Sequence, residues 1–302
     1  MNSRPAGKRR RSRALPAGLA ISLSIAWMTT GCIALRNFKD PKERLTTRTA
    51  YTLTAREVRA DVELAGQDTH NLVANLGVTA GFGRHAEAGV NLAHGVMGVV
   101  NVHAKYNFID MKKWALGVRV GFFWVYPPAI WALPDEFKNA LGGVRIVSVP
   151  FDVIASFPLW EMAGLHLGLG YVHSDLFGEI ETDTDFLASD IGVRKLHIDP
   201  MLEVCFAERV TVFTGARILL WGALVERTSM KVEVEEGVIV GARSVEWARM
   251  SASAGTSGLV GLEMKFGKTI HLRIYAVLNG LLSKVGLFDS PVLPGVDVYW
   301  RF

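Results

Sequence analysis

The chain has 302 residues, half of them hydrophobic, with 30 glycines and a formal net charge of +4. It contains no apolar run of the roughly 20 residues that a membrane-crossing helix needs. Six of its positive charges (Arg4, Lys8, Arg9, Arg10, Arg11 and Arg13) crowd the first thirteen positions. Without them the balance falls to −2, which excludes the basic surface of a nucleic-acid-binding protein.

After that basic run come an apolar segment, Ala14 to Met28, and small residues before Cys32. This is the three-part layout of a cleaved secretory signal, too short in its apolar part to anchor a protein. The ending Thr29-Thr30-Gly31-Cys32 resembles the lipobox of bacterial lipoproteins, departing from it at Thr29, where a large aliphatic residue is usual. The resemblance implies loss of residues 1–31 and acylation of Cys32, a second attachment to the same membrane. With Cys32 acylated, the other cysteine, Cys205, has no partner for a disulfide within the chain. Ile33 to Thr54 mix charge and threonine without periodicity and read as a periplasmic linker following Cys32.

From Arg56 onward apolar and polar residues alternate in segments of about ten, the length of a tilted transmembrane strand. The first puts Val58, Ala60, Val62 and Leu64 on one face and Glu57, Arg59, Asp61 and Glu63 on the other. The second, third and fourth run through Leu72–Phe82, Ala88–Leu92 and Val100–Phe108, separated by polar turns such as Gly83-Arg84-His85. The fifth, Trp114–Tyr126, is followed by a long connection, 127–143. Val147–Phe157 and Leu165–Tyr171 are the sixth and seventh, and a long acidic connection to about Gly192 leads to the eighth, Leu196–Phe206. Pro200 inside the eighth removes a ladder donor and calls for a bulge. The ninth (Val210–Leu220), the tenth (ending Val260–Phe266), the eleventh (Ile270–Leu278) and the last (Val292–Phe302) complete twelve. Met230 to Glu246 reads as a hairpin whose arms are too short to span a membrane, an extension above it; fourteen spanning strands is the alternative.

Short connections follow the even-numbered segments and long ones several of the odd-numbered, as in barrels with short periplasmic turns and longer outer loops. The last strand places Val296, Val298, Trp300 and Phe302 on one face and Asp297, Tyr299 and Arg301 on the other. Apolar residues at alternate positions ending on a phenylalanine resemble the closing strand of bacterial outer-membrane β-barrels. That resemblance covers residues 55–302 and implies an all-β, single antiparallel barrel in the bacterial outer membrane. It further implies that outer-membrane lipids surround the barrel and that the barrel assembly machinery reads Val298, Trp300 and Phe302.

The inner faces then carry Arg59, Asp61, Lys105, Arg119, Asp152, Asp199, Glu203, Arg217, Glu263, Lys265, Arg273 and Arg301, with Glu57, Glu63, Glu87 and Asp297 beside them. Both signs are interleaved, without the single-sign ring of a strongly ion-selective constriction. The function expected is a passive, weakly selective pore for small solutes; the alternative is a plugged barrel of structural or interaction role. A soluble lipocalin-type barrel would bury these charges without water, at high cost. Among outer-membrane barrels, phospholipases and lipid A deacylases place serine and histidine at the strand rim, and His173-Ser174-Asp175 is the one run that could do so here. Neighbours in a strand face opposite ways, so His173 and Ser174 cannot bond while the strand continues, and no enzyme is expected. Glu179, Glu181, Asp183 and Asp185 alternate in an outer loop, a candidate for divalent cations bridging to lipopolysaccharide, although the glycine and distal glutamate of a calcium loop are missing. His103, His166, His197 and His271 face inward on separate strands, and neither metal-ligand spacing nor a phosphate-cradling glycine motif calls for a cofactor.

Overall fold

The computed structural model describes residues 48–302 except for 65–73, 97, 112, 127–133, 136–143, 161, 182–184, 208, 235–237, 251–255, 268 and 280–291. Thirteen strands follow one another: β1 (Val58–Leu64), β2 (Ala74–Phe82), β3 (Ala86–Asn91), β4 (Val99–Asp110), β5 (Ala115–Val125), β6 (Arg145–Trp160), β7 (Ala163–Glu181), β8 (Asp185–Ala207), β9 (Val210–Val234), β10 (Val238–Arg249), β11 (Ser257–Phe266), β12 (Ile270–Asn279) and β13 (Val292–Arg301). A single helical turn, α1 (Leu92–Val96), sits between β3 and β4.

Each strand pairs antiparallel with its neighbour, and the sheet closes: β1 pairs with β13, and β8 with β9. Closure takes twelve strands, β1–β9 and β11–β13. It leaves no open edge in the wall, which a chain surrounded by lipid cannot tolerate. At the seam Val58 N–H donates to Phe302 O (3.2 Å) and Phe302 N–H to Val58 O (2.9 Å). The glutamate before β1 adds a salt bridge to the last strand, Glu57 Oε1 to Arg301 Nε at 2.6 Å. The short turns rely on glycines with positive φ, Gly83 at 63° and Gly267 at 67°, a region that side-chain-bearing residues avoid.

Strand ten is the one outside the closed ring. Its residues Val238–Arg249 pair with Val234–Ala223 of β9, above the segment of β9 that pairs with β11. The hairpin expected around Met230–Glu246 is therefore real, an extension of the wall with arms longer than the sequence suggested. The wall is also uneven in height: β1 and β3 have 7 and 6 residues, whereas β7, β8 and β9 have 19, 23 and 25.

Two expectations need correction. The acidic connection before Gly192 is mostly strand: β7 runs to Glu181 and β8 starts at Asp185, so Glu179 and Glu181 lie on one arm of a hairpin and Asp185 on the other. The four carboxylates do not alternate along one extended segment, because the chain reverses between them; Asp183 lies outside the described residues. Pro200 causes no bulge. The β8–β9 ladder lacks bridges at Asp199 and Pro200 but keeps its register, Ile198 facing Ile218 and Met201 facing Gly215. The register shifts fall instead at Leu196/His197 and Cys205/Ala207.

The outer face carries exposed Val100, Val102, Phe122, Leu169, Ile274 and Leu278, ringed by Phe82, Tyr106, Phe108, Phe266 and Phe302 towards the short-turn end. Such an apolar belt with aromatic borders is what lipid demands of a barrel. The inner face is polar and buried: Thr79, Lys105, Ser148, Asp152, His197, Glu263 and Arg273 are all shielded from solvent. This is a transmembrane β-barrel of the bacterial outer-membrane type.

A plugged lumen as the candidate functional site

The first described residues do not behave as a linker outside the barrel. Thr49, Ala50 and Leu53 have no exposed surface at all, and Tyr51 is buried beside them. Their hydrogen bonds and apolar contacts described below are with inward-facing residues near the short-turn end. Ala50 N–H donates to Ser156 Oγ of β6 at 2.8 Å, and Leu53 N–H donates to Glu87 Oε2 of β3 at 2.7 Å. Ala50 and Tyr51 pack with Ala115 of β5 and Ile154 of β6. Two glycines make room: a Cβ on Gly81 would collide with the Thr54 carbonyl oxygen, and one on Gly117 would lie 3.1 Å from that of Ala50. The segment from Thr49 to Thr54, the last part of the stretch read as a linker, therefore lies in the lumen at the end that faces the periplasm in barrels of this class. Cys32 and the signal segment fall outside the described residues.

From the plug the chain turns into β1. Thr54 N–H and Oγ1 both bond Glu57 Oε2, at 2.9 and 3.0 Å, and Glu57 N–H returns to Thr54 O at 3.0 Å. Arg56, between them, has a φ of 67°, a costly conformation for a residue with a side chain. The turn is held by the Glu57–Arg301 salt bridge at the seam.

On the lumen side of the plug lies a cavity of about 150 Å³. Its floor is Arg48 and Thr49. Of the twelve inner-face candidates, Arg59, Asp61, Lys105, Arg119, Asp152, Arg217 and Arg273 line it, together with Glu63, Glu87, His103, His197 and Asp297. The wall is built from paired charges at matching heights of neighbouring strands. On one side Arg119 Nη2 lies 2.7 Å from Asp152, and Arg217 Nη2 lies 2.7 Å from Asp199. His197 Nε2 sits between the two carboxylates, 3.6 Å from each. Gly170, facing both Asp152 and His197 across its two ladders, leaves space for that bridge. On the other side Arg273 joins Glu263 (2.8 Å) and Asp297 (3.3 Å) and lies over the Tyr299 ring at 4.5 Å. Tyr275 donates to Glu63 at 2.7 Å, and Lys105 meets Glu87 at 2.9 Å.

The remaining candidates lie elsewhere. Arg301 serves the seam, Glu263 stands behind Arg273, and Asp199 behind Arg217. Lys265 faces His271 across the β11–β12 ladder near the short turn. Glu203 is at the plug. The four inward histidines do not converge: His103 reaches Thr79, His197 the carboxylates above, His271 Glu263 and Tyr299, and His166 Ser156 and Glu203. Among the described residues no cluster of three or more His, Cys, Asp or Glu side chains could hold a metal ion.

His173 and Ser174 stay apart as alternation requires. His173 bonds Asp175 at 2.7 Å, while Ser174 bonds Ser148 on the opposite face. The arrangement invisible to spacing arguments is Ser156–His166–Glu203, on three successive strands. Ser156 Oγ and His166 Nδ1 are 2.8 Å apart, His166 Nε2 and Glu203 Oε1 3.1 Å apart, and all three are fully buried. Only the register, which sets Ser156 opposite His166 and Gly164 opposite Glu203, brings them together.

No family model matches this chain, and no curated protein does. Solved structures similar to it include the toluene transporter TbuX of Ralstonia pickettii, at 10% identity over 87% of this chain and 92% of that one, with a TM-score of 0.39. The toluene transporter TodX of Pseudomonas putida is similar at 10% identity over 83% and 89%, with a TM-score of 0.37. The monoaromatic hydrocarbon channel CymD is similar at 10% identity over 87% and 89%, with a TM-score of 0.34.

Proposed function

We propose that the chain is an outer-membrane transport barrel for small polar solutes, closed in the state described here by its own Thr49–Thr54 segment. The observation that carries this reading is the plug itself, lying in the lumen beneath a cavity walled by charges of both signs. The paired charges are hospitable to hydrogen-bonding solutes, and Phe123, Pro150, Ile154 and Val172 line other parts of the cavity. Interleaved signs favour neither cations nor anions strongly. On this reading the passive, weakly selective pore expected from the sequence is one that must be unblocked.

The test is solute flux into liposomes holding the refolded protein, compared with Gly81→Val. The new side chain would press on the Thr54 carbonyl and displace the plug, leaving the ladders intact. Slow flux of small sugars and amino acids through the unaltered protein, raised at least several-fold in Gly81→Val, supports the reading. Flux no greater than in protein-free liposomes for both proteins would favour the structural barrel, which the continuous ion pairing of the lumen also suits.

A further inference from the structure

We infer that Ser156, His166 and Glu203 form a binding site whose ligand is the chain's own extended segment, and that together with Glu87 they make a releasable latch on the lumen. The inference rests on the transport reading and adds how the closed state is held and let go.

An extended segment fixed permanently inside a barrel has an obvious means of attachment, the backbone ladder of a strand. Here the two N–H groups at Ala50 and Leu53 donate to side chains instead, Ser156 Oγ and Glu87 Oε2. Each acceptor is the end of a short relay. Ser156 leads to His166 at 2.8 Å and His166 to Glu203 at 3.1 Å, whereas Glu87 leads to Lys105 at 2.9 Å. Glu203 has no exposed surface and lies 3.1 Å from His166 Nε2, while Ser156 Oγ shares a hydrogen bond with His166 Nδ1 and accepts the Ala50 N–H. Tyr51 completes the contact by meeting the His166 ring edge to face, centroids 6.2 Å apart and planes at 85°. The recognised ligand is thus a peptide with a free N–H followed by an aromatic residue, and the sequence Ala50-Tyr51 supplies it.

Ser156 is fully buried, and its oxygen holds the segment through the Ala50 N–H. The segment has a pivot as well: Arg56 at φ 67° and the Thr54–Glu57 turn join it to β1.

The experiment uses the full chain in planar bilayers, with three variants. Ala50→Pro deletes the N–H donor from the segment side and sets the proline ring against Ser156, and Ser156→Ala deletes the acceptor. Ala50→Cys with Ser156→Cys replaces the hydrogen bond by a bond that can be oxidised and reduced. A neutral hydrogen bond of ordinary strength corresponds to roughly a five- to ten-fold change in an equilibrium. Ala50→Pro and Ser156→Ala are therefore each expected to raise the open-to-closed ratio about five- to ten-fold, and together by no more than either alone. The cysteine pair is expected to fall silent when oxidised and to recover with reductant. Conducting channels whose open-to-closed ratio is the same in Ala50→Pro and the unaltered protein, and unaffected by oxidation of the cysteine pair, would overturn the latch while leaving the transport reading standing. Proteins that insert yet never conduct, Ala50→Pro included, would overturn both.

Discussion

Arg273 is the position at which the charged interior can be tested most severely. Its guanidinium is shared by two buried carboxylates, Glu263 at 2.8 Å and Asp297 at 3.3 Å, and it lies over the Tyr299 ring. Arg273→Met keeps the length and the apolar stem but strips both carboxylates of that cation. Glu263 keeps His271 at 3.1 Å, which softens its loss; Asp297 is left with the more distant charge of Arg59. Breaking one buried pair costs about 3–5 kcal/mol, so the single substitution should lower the unfolding free energy by about that amount. The triple change Arg273→Met, Glu263→Gln and Asp297→Asn removes the stranded charges and should regain part of it, since no uncompensated buried charge remains. Urea titration in lipid vesicles, followed by tryptophan fluorescence, measures the three proteins side by side. A single variant within about 1 kcal/mol of the unaltered protein would show that water already solvates these carboxylates, and the description of a tightly paired lumen would be wrong.

Two further predictions concern the sides of the wall. Leu169, about half exposed on the outer face in the first half of β7, should tolerate lysine poorly. Leu169→Lys is expected to cost about 2–4 kcal/mol in the same vesicle assay, and a cost near zero would place this face in water. Cys205 is fully buried, its sulfur 3.4 Å from Thr211 Oγ1. A membrane-impermeant maleimide should leave it unmodified in the folded barrel and label it after denaturation; rapid labelling of the folded protein would contradict its inner position.

Why the strands were legible and the plug was not follows from what lipid imposes. Each spanning strand must show apolar side chains outward at every second residue, so Val118, Val120 and Phe122 or Leu167 and Leu169 announce themselves locally. The Thr49–Thr54 segment meets no lipid. It is held by Ser156 and Glu87, 106 and 34 residues away, and its own residues have no period to read. The same holds for Ser156, His166 and Glu203, whose meeting depends on strand register. One signal was available: Gly81 and Gly117 are inward positions without side chains beside a strand's short-turn end, where something must approach closely. The β7–β8 hairpin reads as a loop in the sequence because its acidic residues lack an apolar alternation, and above the membrane no such alternation is required. The hairpin of β9 and β10 was legible in kind, since Glu235-Glu236-Gly237 interrupts two β-branched runs. Its length was not, because pairing from Ala223 onward needs no further sequence signature.

The most direct test of a barrel closed by its own N-terminal segment is the electrical behaviour of the unaltered protein in a planar bilayer. The structure predicts insertion followed by a closed baseline broken by brief, discrete steps. A steady open level lasting as long as the protein remains in the membrane would contradict the plugged lumen.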